Sequence, residues 1–124
     1  MGTANGTGSP APLVFDHDEM LDRLLGDQEL AAKIATTFVK DVSRRLDLLR
    51  QECTAGNAEA VCNHLHTIKG ASANVSGKAL AALALELELA AKAGNLQNVS
   101  SRLDDFTNAF DALANAMKSQ RILP

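Results

Sequence analysis

The chain has 124 residues, enough for one compact domain and too few for two independent cores. A hydrophobic content of 46% excludes wholesale disorder, and a net charge of -3 with 3% aromatic residues removes the electrostatic and stacking grounds for nucleic-acid binding. No apolar run is long enough to span a bilayer, no secretory leader is visible, and Cys53 and Cys62 form neither a disulfide framework nor a Cys-x-x-Cys motif. A cytoplasmic chain with reduced thiols and no membrane contact is therefore expected.

Residues 1-12 are rich in Gly, Thr, Ser, Ala, Asn and Pro and offer little to bury. They read as a flexible linker or vector-derived remnant. Residues 13-121 read as the folded domain. No proline occurs between Pro12 and Pro124, which predicts an all-helical chain. The pairs Gly26-Asp27, Gly56-Asn57 and Gly94-Asn95 each fit a glycine helix stop followed by an N-cap.

Five helices follow from these marks. The first is short, about Asp18 to Leu25, with Asp16 and Glu19 spaced as a capping box. The second spans about Gln28 to Thr54, with Leu30, Ile34, Phe38, Val42, Leu46, Leu49 and Cys53 at helical spacing. The third spans about Ala58 to Val75, its stripe formed by Val61, Leu65, Ile68 and Val75 with Ser72 in register. The fourth runs from about Lys78 to Ala93 through Leu80, Leu83, Leu87 and Ala90, and Leu85 and Leu89 widen its apolar surface into the core. The fifth is continuous from about Leu96 to Lys118, with Leu96, Val99, Leu103, Phe106, Phe110, Leu113 and Met117 on one face. Four long amphipathic helices with short connections predict an antiparallel four-helix bundle, with the short N-terminal helix covering one end. The faces Leu85/Leu89 and Phe38/Val39 could support dimers, but added apolar width more often belongs to a core, so a monomer is expected.

Chemistry concentrates on the third helix. His64 and His66 are two residues apart and point about 200° away from each other. His64 flanks the apolar stripe and is expected at a helix boundary or in solvent. His66 lies off the stripe, on a face with Cys62, Asn63, Lys69, Gly70 and Ala73. A glycine inside a helix costs about 1 kcal/mol relative to alanine, so Gly70 calls for a local reason, such as close approach of a partner. A neutral imidazole is a good nucleophile near pH 7, and Lys69 can offset the charge of an incoming phosphoryl group. Transient phosphorylation of His66 fits this set. A single exposed helix cannot supply a whole phosphoryl-transfer site, so a partner must bring the metal and the rest. His17, among Asp16, Asp18 and Glu19, reads as a surface residue.

The run His66-Thr67-Ile68-Lys69-Gly70-Ala71-Ser72-Ala73-Asn74-Val75 resembles the signature of histidine-containing phosphotransfer (HPt) domains. The likeness extends to the turns at Leu25-Gly26-Asp27 and Ala55-Gly56-Asn57, to Phe38, Asp41 and Leu46, and to the stretch from Leu85 and Glu86 to Ala90. It implies a phosphocarrier with no kinase activity and no cofactor of its own. His66 would be the phosphoacceptor and Lys69 its positive neighbour, with Cys62, Asn63, Gly70 and Ala73 at the docking surface. The implied partners are response-regulator receiver domains, which hold Mg²⁺, or a hybrid histidine kinase in cis. Ser76 departs from the family, which commonly has glycine there; Gly77 follows, which suggests a helix stop displaced by one residue.

Three other readings stand beside this one. The chain could be the phosphoacceptor domain of a chemotaxis-type kinase, although the Ser72-Ala73-Asn74 continuation favours the phosphorelay type. It could be a purely structural bundle. Cys62 and His66, at i and i+4, could hold a metal, but no second ligand pair is available.

Overall fold

The computed structural model describes residues 11–124, and the first ten residues of the expected linker lie outside the described part. Ala11 and Pro12 are exposed and belong to no helix. Every element among the described residues is helical. The elements are α1 (His17–Arg23), α2 (Gln28–Ala55), α3 (Ala58–Asn74), α4 (Lys78–Lys92), α5 (Leu96–Ser101) and α6 (Leu103–Ser119).

The expected caps set most boundaries. Asp27, Asn57 and Asn95 accept from the backbone N–H groups of Leu30, Ala60 and Asn98. Gly26, Gly56 and Gly94 take positive φ values, as the left-handed stops require. Asp16 likewise caps α1 through the Glu19 N–H, but the capping box is only half made. The Glu19 carboxylate turns away to accept from Arg23 and Ser76 and to pair with Lys78. The Asp16 N–H instead donates to the Ser76 carbonyl.

Helices α2, α3, α4 and the α5–α6 pair pack in cyclic order around one core, and α1 lies against α2. The core includes Phe38, Val42, Leu49, Leu65, Ile68, Leu87, Phe106 and Leu113. Packing continues past residue 121, because Ile122 and Leu123 are also buried.

Three expectations about the helices change. The fifth helix is interrupted at Arg102. The Ser101 hydroxyl donates to the Asn98 carbonyl, the group that a continuous helix would present to the Arg102 N–H. That N–H bonds Val99 instead, tightening the turn. On α4, Leu85 and Leu89 are exposed, and the buried set is Leu80, Ala84, Leu87, Glu88 and Ala91. The helix is rotated so that a carboxylate, not the extra leucines, faces the core edge. On α2, Leu30 is exposed, since the buried face of the first turns runs through Ala31 and Ala35 instead.

The α3–α4 turn is not displaced by a residue. Gly77 N–H donates to Ser72 O and Ser76 N–H to Ala73 O, a Schellman closure with Ser76 at φ 61°. A left-handed serine costs about 1–2 kcal/mol. The buried Ser76 hydroxyl offsets this by donating to Glu19 and accepting from Arg23. Gly77 is needed for space: a Cβ there would lie 2.5 Å from Leu113 Cδ2. This turn fixes the end of α3 against α1 and α4, and so fixes the face that carries His66.

Candidate functional site at the α3–α4 seam

The apolar stripe of α3, Val61, Leu65, Ile68, Ser72 and Val75, is buried. Burying that stripe turns His66 outward, and its side chain is 67% exposed. Its Nδ1 lies 3.0 Å from Oε2 of Glu88, a residue of α4 whose side chain is 2% exposed. An ionised carboxylate can only accept, so in the neutral ring Nδ1 carries the proton and Nε2 the lone pair.

Glu88 holds two further cations. Lys69 Nζ is 3.0 Å from Oε1, and Lys92 Nζ, one turn along α4, is 3.4 Å from Oε2. The Lys69 contact is one of charge, because its alignment leaves Oε1 without a hydrogen-bond partner among the described residues. Burial pushes the Glu88 carboxyl up, but contacts with Lys69 and His66, the charge of Lys69 and the contact with Lys92 outweigh it and hold the pKa below the usual carboxylate range. A buried carboxylate is tolerable only with such partners.

The residues expected around His66 fall into two groups. Asn63, Gly70 and Ala73 are exposed on the same side of α3 as His66. Nothing lies within 4 Å of where a Gly70 Cβ would stand, so this glycine does not serve internal helix packing. Cys62 is half-buried against the core and contributes mainly to packing. Beside this face, between α2 and α3, a shallow groove of about 450 Å³ is lined by Ile34, Phe38, Ala71, Asn74 and Val75 among others.

His64 is held elsewhere. Its Nδ1 lies 3.2 Å from Arg45 Nη1, and Arg45 in turn pairs with Asp41 on α2. Desolvation, followed by the Arg45 charge, pushes the His64 pKa down. His64 thus staples α2 to α3 and is not beside His66. Among the described residues no group of three or more His, Cys, Asp or Glu side chains could hold a metal ion. No helix among the described residues is long and apolar enough to cross a membrane.

Glu88 was not singled out by the sequence reading. Its signal was its register: Ala84, Leu87, Glu88 and Ala91 share the inward side of α4, and Lys92 follows Glu88 by four residues.

Comparison with known proteins shows the family and the fold. The model of the Hpt domain family matches residues 33–116. Comparison with curated proteins gave no match. The crystal structure of histidine-containing phosphotransfer protein B (HptB) from Pseudomonas aeruginosa PAO1 is similar, with a TM-score of 0.80 and 27% identity over 87% of this chain and 94% of that one. With a family match over most of its length, this chain belongs to the Hpt domain family, whose work is histidine phosphotransfer in a phosphorelay.

Proposed function

We propose that His66 is the phosphoacceptor, taking a phosphoryl group from a receiver-domain aspartate and passing it to another. The observation that carries this is one ring, 67% exposed, whose inner Nδ1 lies 3.0 Å from a buried carboxylate that it shares with Lys69. The lone pair on Nε2 is the attacking group. Lys69 supplies positive charge next to it, and the exposed glycine face leaves room for the partner. Phosphoryl transfer is mainly a matter of positioning and charge stabilisation, so the missing parts come with the partner, including its Mg²⁺. This chain acts as a carrier with no kinase chemistry and no cofactor of its own, working as a monomer in the cytoplasm.

Docking is assigned to the surface around His66: Asn63, Gly70 and Ala73, with the rim of Cys62. The open space over Gly70 supports this, because a mid-helix glycine with no internal neighbour has lost helix stability without gaining packing. The test is transfer from a phosphorylated receiver with Mg²⁺, read by intact mass. Wild type should gain one acid-labile phosphoryl group and His66→Gln none. Equal labelling of both would contradict the assignment.

A further inference from the structure

Two leucines of α4 face water. Leu85 and Leu89 are 43% and 56% exposed and stand one turn apart, while Leu80 and Leu87 of the same helix are buried. Helical geometry gives their direction. Lys92, Leu85 and Leu89 lie about 40°, 60° and 100° around α4 from Glu88, turned away from the buried Ala84, Leu87 and Ala91. Glu88 meets His66 and Lys69 of α3, so the two leucines form the outer wall of α4 next to the His66 seam. Helices α3 and α4 run antiparallel from a short turn. Leu85 is one turn nearer that turn than Glu88, and Gly70 is one turn nearer it than His66, so these two residues stand at one level. His66 therefore sits between a glycine wall on α3 and a leucine wall on α4. The pair adds nothing to the packing of the fold, and together the two expose about one whole leucine side chain to water.

We propose that Leu85 and Leu89 are anchor residues for the receiver domain, covered on the α4 side of His66 by an apolar rim beside the receiver's anionic aspartyl phosphate. This rests on the reading of His66 as phosphoacceptor. Three observations select that occupant. The stripe is continuous with the face over which the donor must sit: phosphorus has to come within about 3 Å of the ring, and a partner surface of about 800 Å² extends well past one helix on either side. The exposed charge on this face is positive, since Lys92 is 59% and Lys69 30% exposed while the acid between them is 2% exposed. An anionic partner is attracted to such a face, whereas a second copy would bring the same lysines to it. The apolar area is also small, and Ala82, Glu86 and Lys92 around it are exposed. One leucine's worth of surface is too little for a stable dimer and suits a partner that must leave after transfer.

The substitutions Leu85→Gln and Leu89→Gln keep helix propensity and side-chain length and remove the apolar surface. The probe is a receiver domain that labels the wild-type chain, itself phosphorylated by acetyl phosphate with Mg²⁺. The double variant should need about 10-fold more receiver for half-maximal transfer, the scale of one leucine's burial, while the rate at saturation stays within about 2-fold of wild type. Phosphoramidate, a donor too small to reach α4, should label wild type and the double variant equally, which shows that the ring itself is unaltered. Sedimentation should find the wild type monomeric, and circular dichroism checks the fold. Should the double variant not fold, Leu89→Gln, at the more exposed site, carries the test with a shift of about 3-fold. An unchanged half-maximal concentration in a folded variant would overturn the inference and leave His66 as phosphoacceptor. A wild type that sediments as a dimer, dispersed by the double variant, would overturn it in favour of a second copy. Receiver-driven labelling that persists in His66→Gln, or a panel of receivers that never labels wild type, would overturn the underlying reading and this inference with it.

Discussion

Two histidines on one helix, two residues apart, have opposite surroundings. His64 leans on Arg45, and a guanidinium can only donate, so His64 Nδ1 accepts and its proton is on Nε2. His66 leans on Glu88, which can only accept, so its proton is on Nδ1. The bond to Arg45 stitches α2 to α3, whereas the bond to Glu88 prepares an outward nitrogen. The residue type is the same, and the partner on the neighbouring helix separates the structural histidine from the one proposed to carry phosphate. Position on the helix decides which partner is met.

The largest effect that would break this contrast is on transfer. Lys69→Ala should slow phosphoryl transfer by about 10- to 100-fold, the order of losing one charge donor to the transition state, while His64→Gln leaves it unchanged. Rapid-quench kinetics with one phosphorylated receiver would show it, and a slow His64→Gln with a fast Lys69→Ala would reverse the roles. Next come two glycines that frame the seam. Gly77→Ala should destabilise the fold by about 1–3 kcal/mol in urea titration, since its Cβ would press on the buried Leu113. Gly70→Ala should instead stabilise by about 1 kcal/mol through helix propensity, and slow transfer if a partner sits over it. The smallest effect is on pH. His64 has a depressed pKa in the fold, so the unfolded chain takes up its proton first. The stability His64 contributes is full above its ordinary value of 6.5 and is lost as pH falls through the lowered one. Glu88 behaves in the same way below 4.5. Arg45→Met should weaken the first of these steps and leave the second, as read by urea midpoints against pH.

Much of this was legible in the chain itself. Both ends of α2, the start of α3 and the end of α4 follow from glycine stops and Asp or Asn caps, because those residues act locally. The outward turn of His66 follows from the buried stripe opposite it. What was hidden depends on meetings across the fold. Glu88 drew no attention in the sequence because its burial depends on how α4 is rotated against α3, and the exposure of Leu85 and Leu89 comes from that same rotation. At Arg102 the backbone N–H turns to Val99 while the Ser101 hydroxyl takes the Asn98 carbonyl, an arrangement that apolar spacing cannot reveal. Ser76 in a left-handed turn is stable only because Glu19 and Arg23 reach its hydroxyl from α1.

The most direct measurement of the central claim maps the phosphoryl group itself. Wild-type chain, phosphorylated by a receiver and kept at alkaline pH, would be fragmented and sequenced by mass spectrometry. The account predicts that the added mass falls on His66 and not on His64, and that acid removes it. Phosphate found on His64, or on an acid-stable residue, would contradict it.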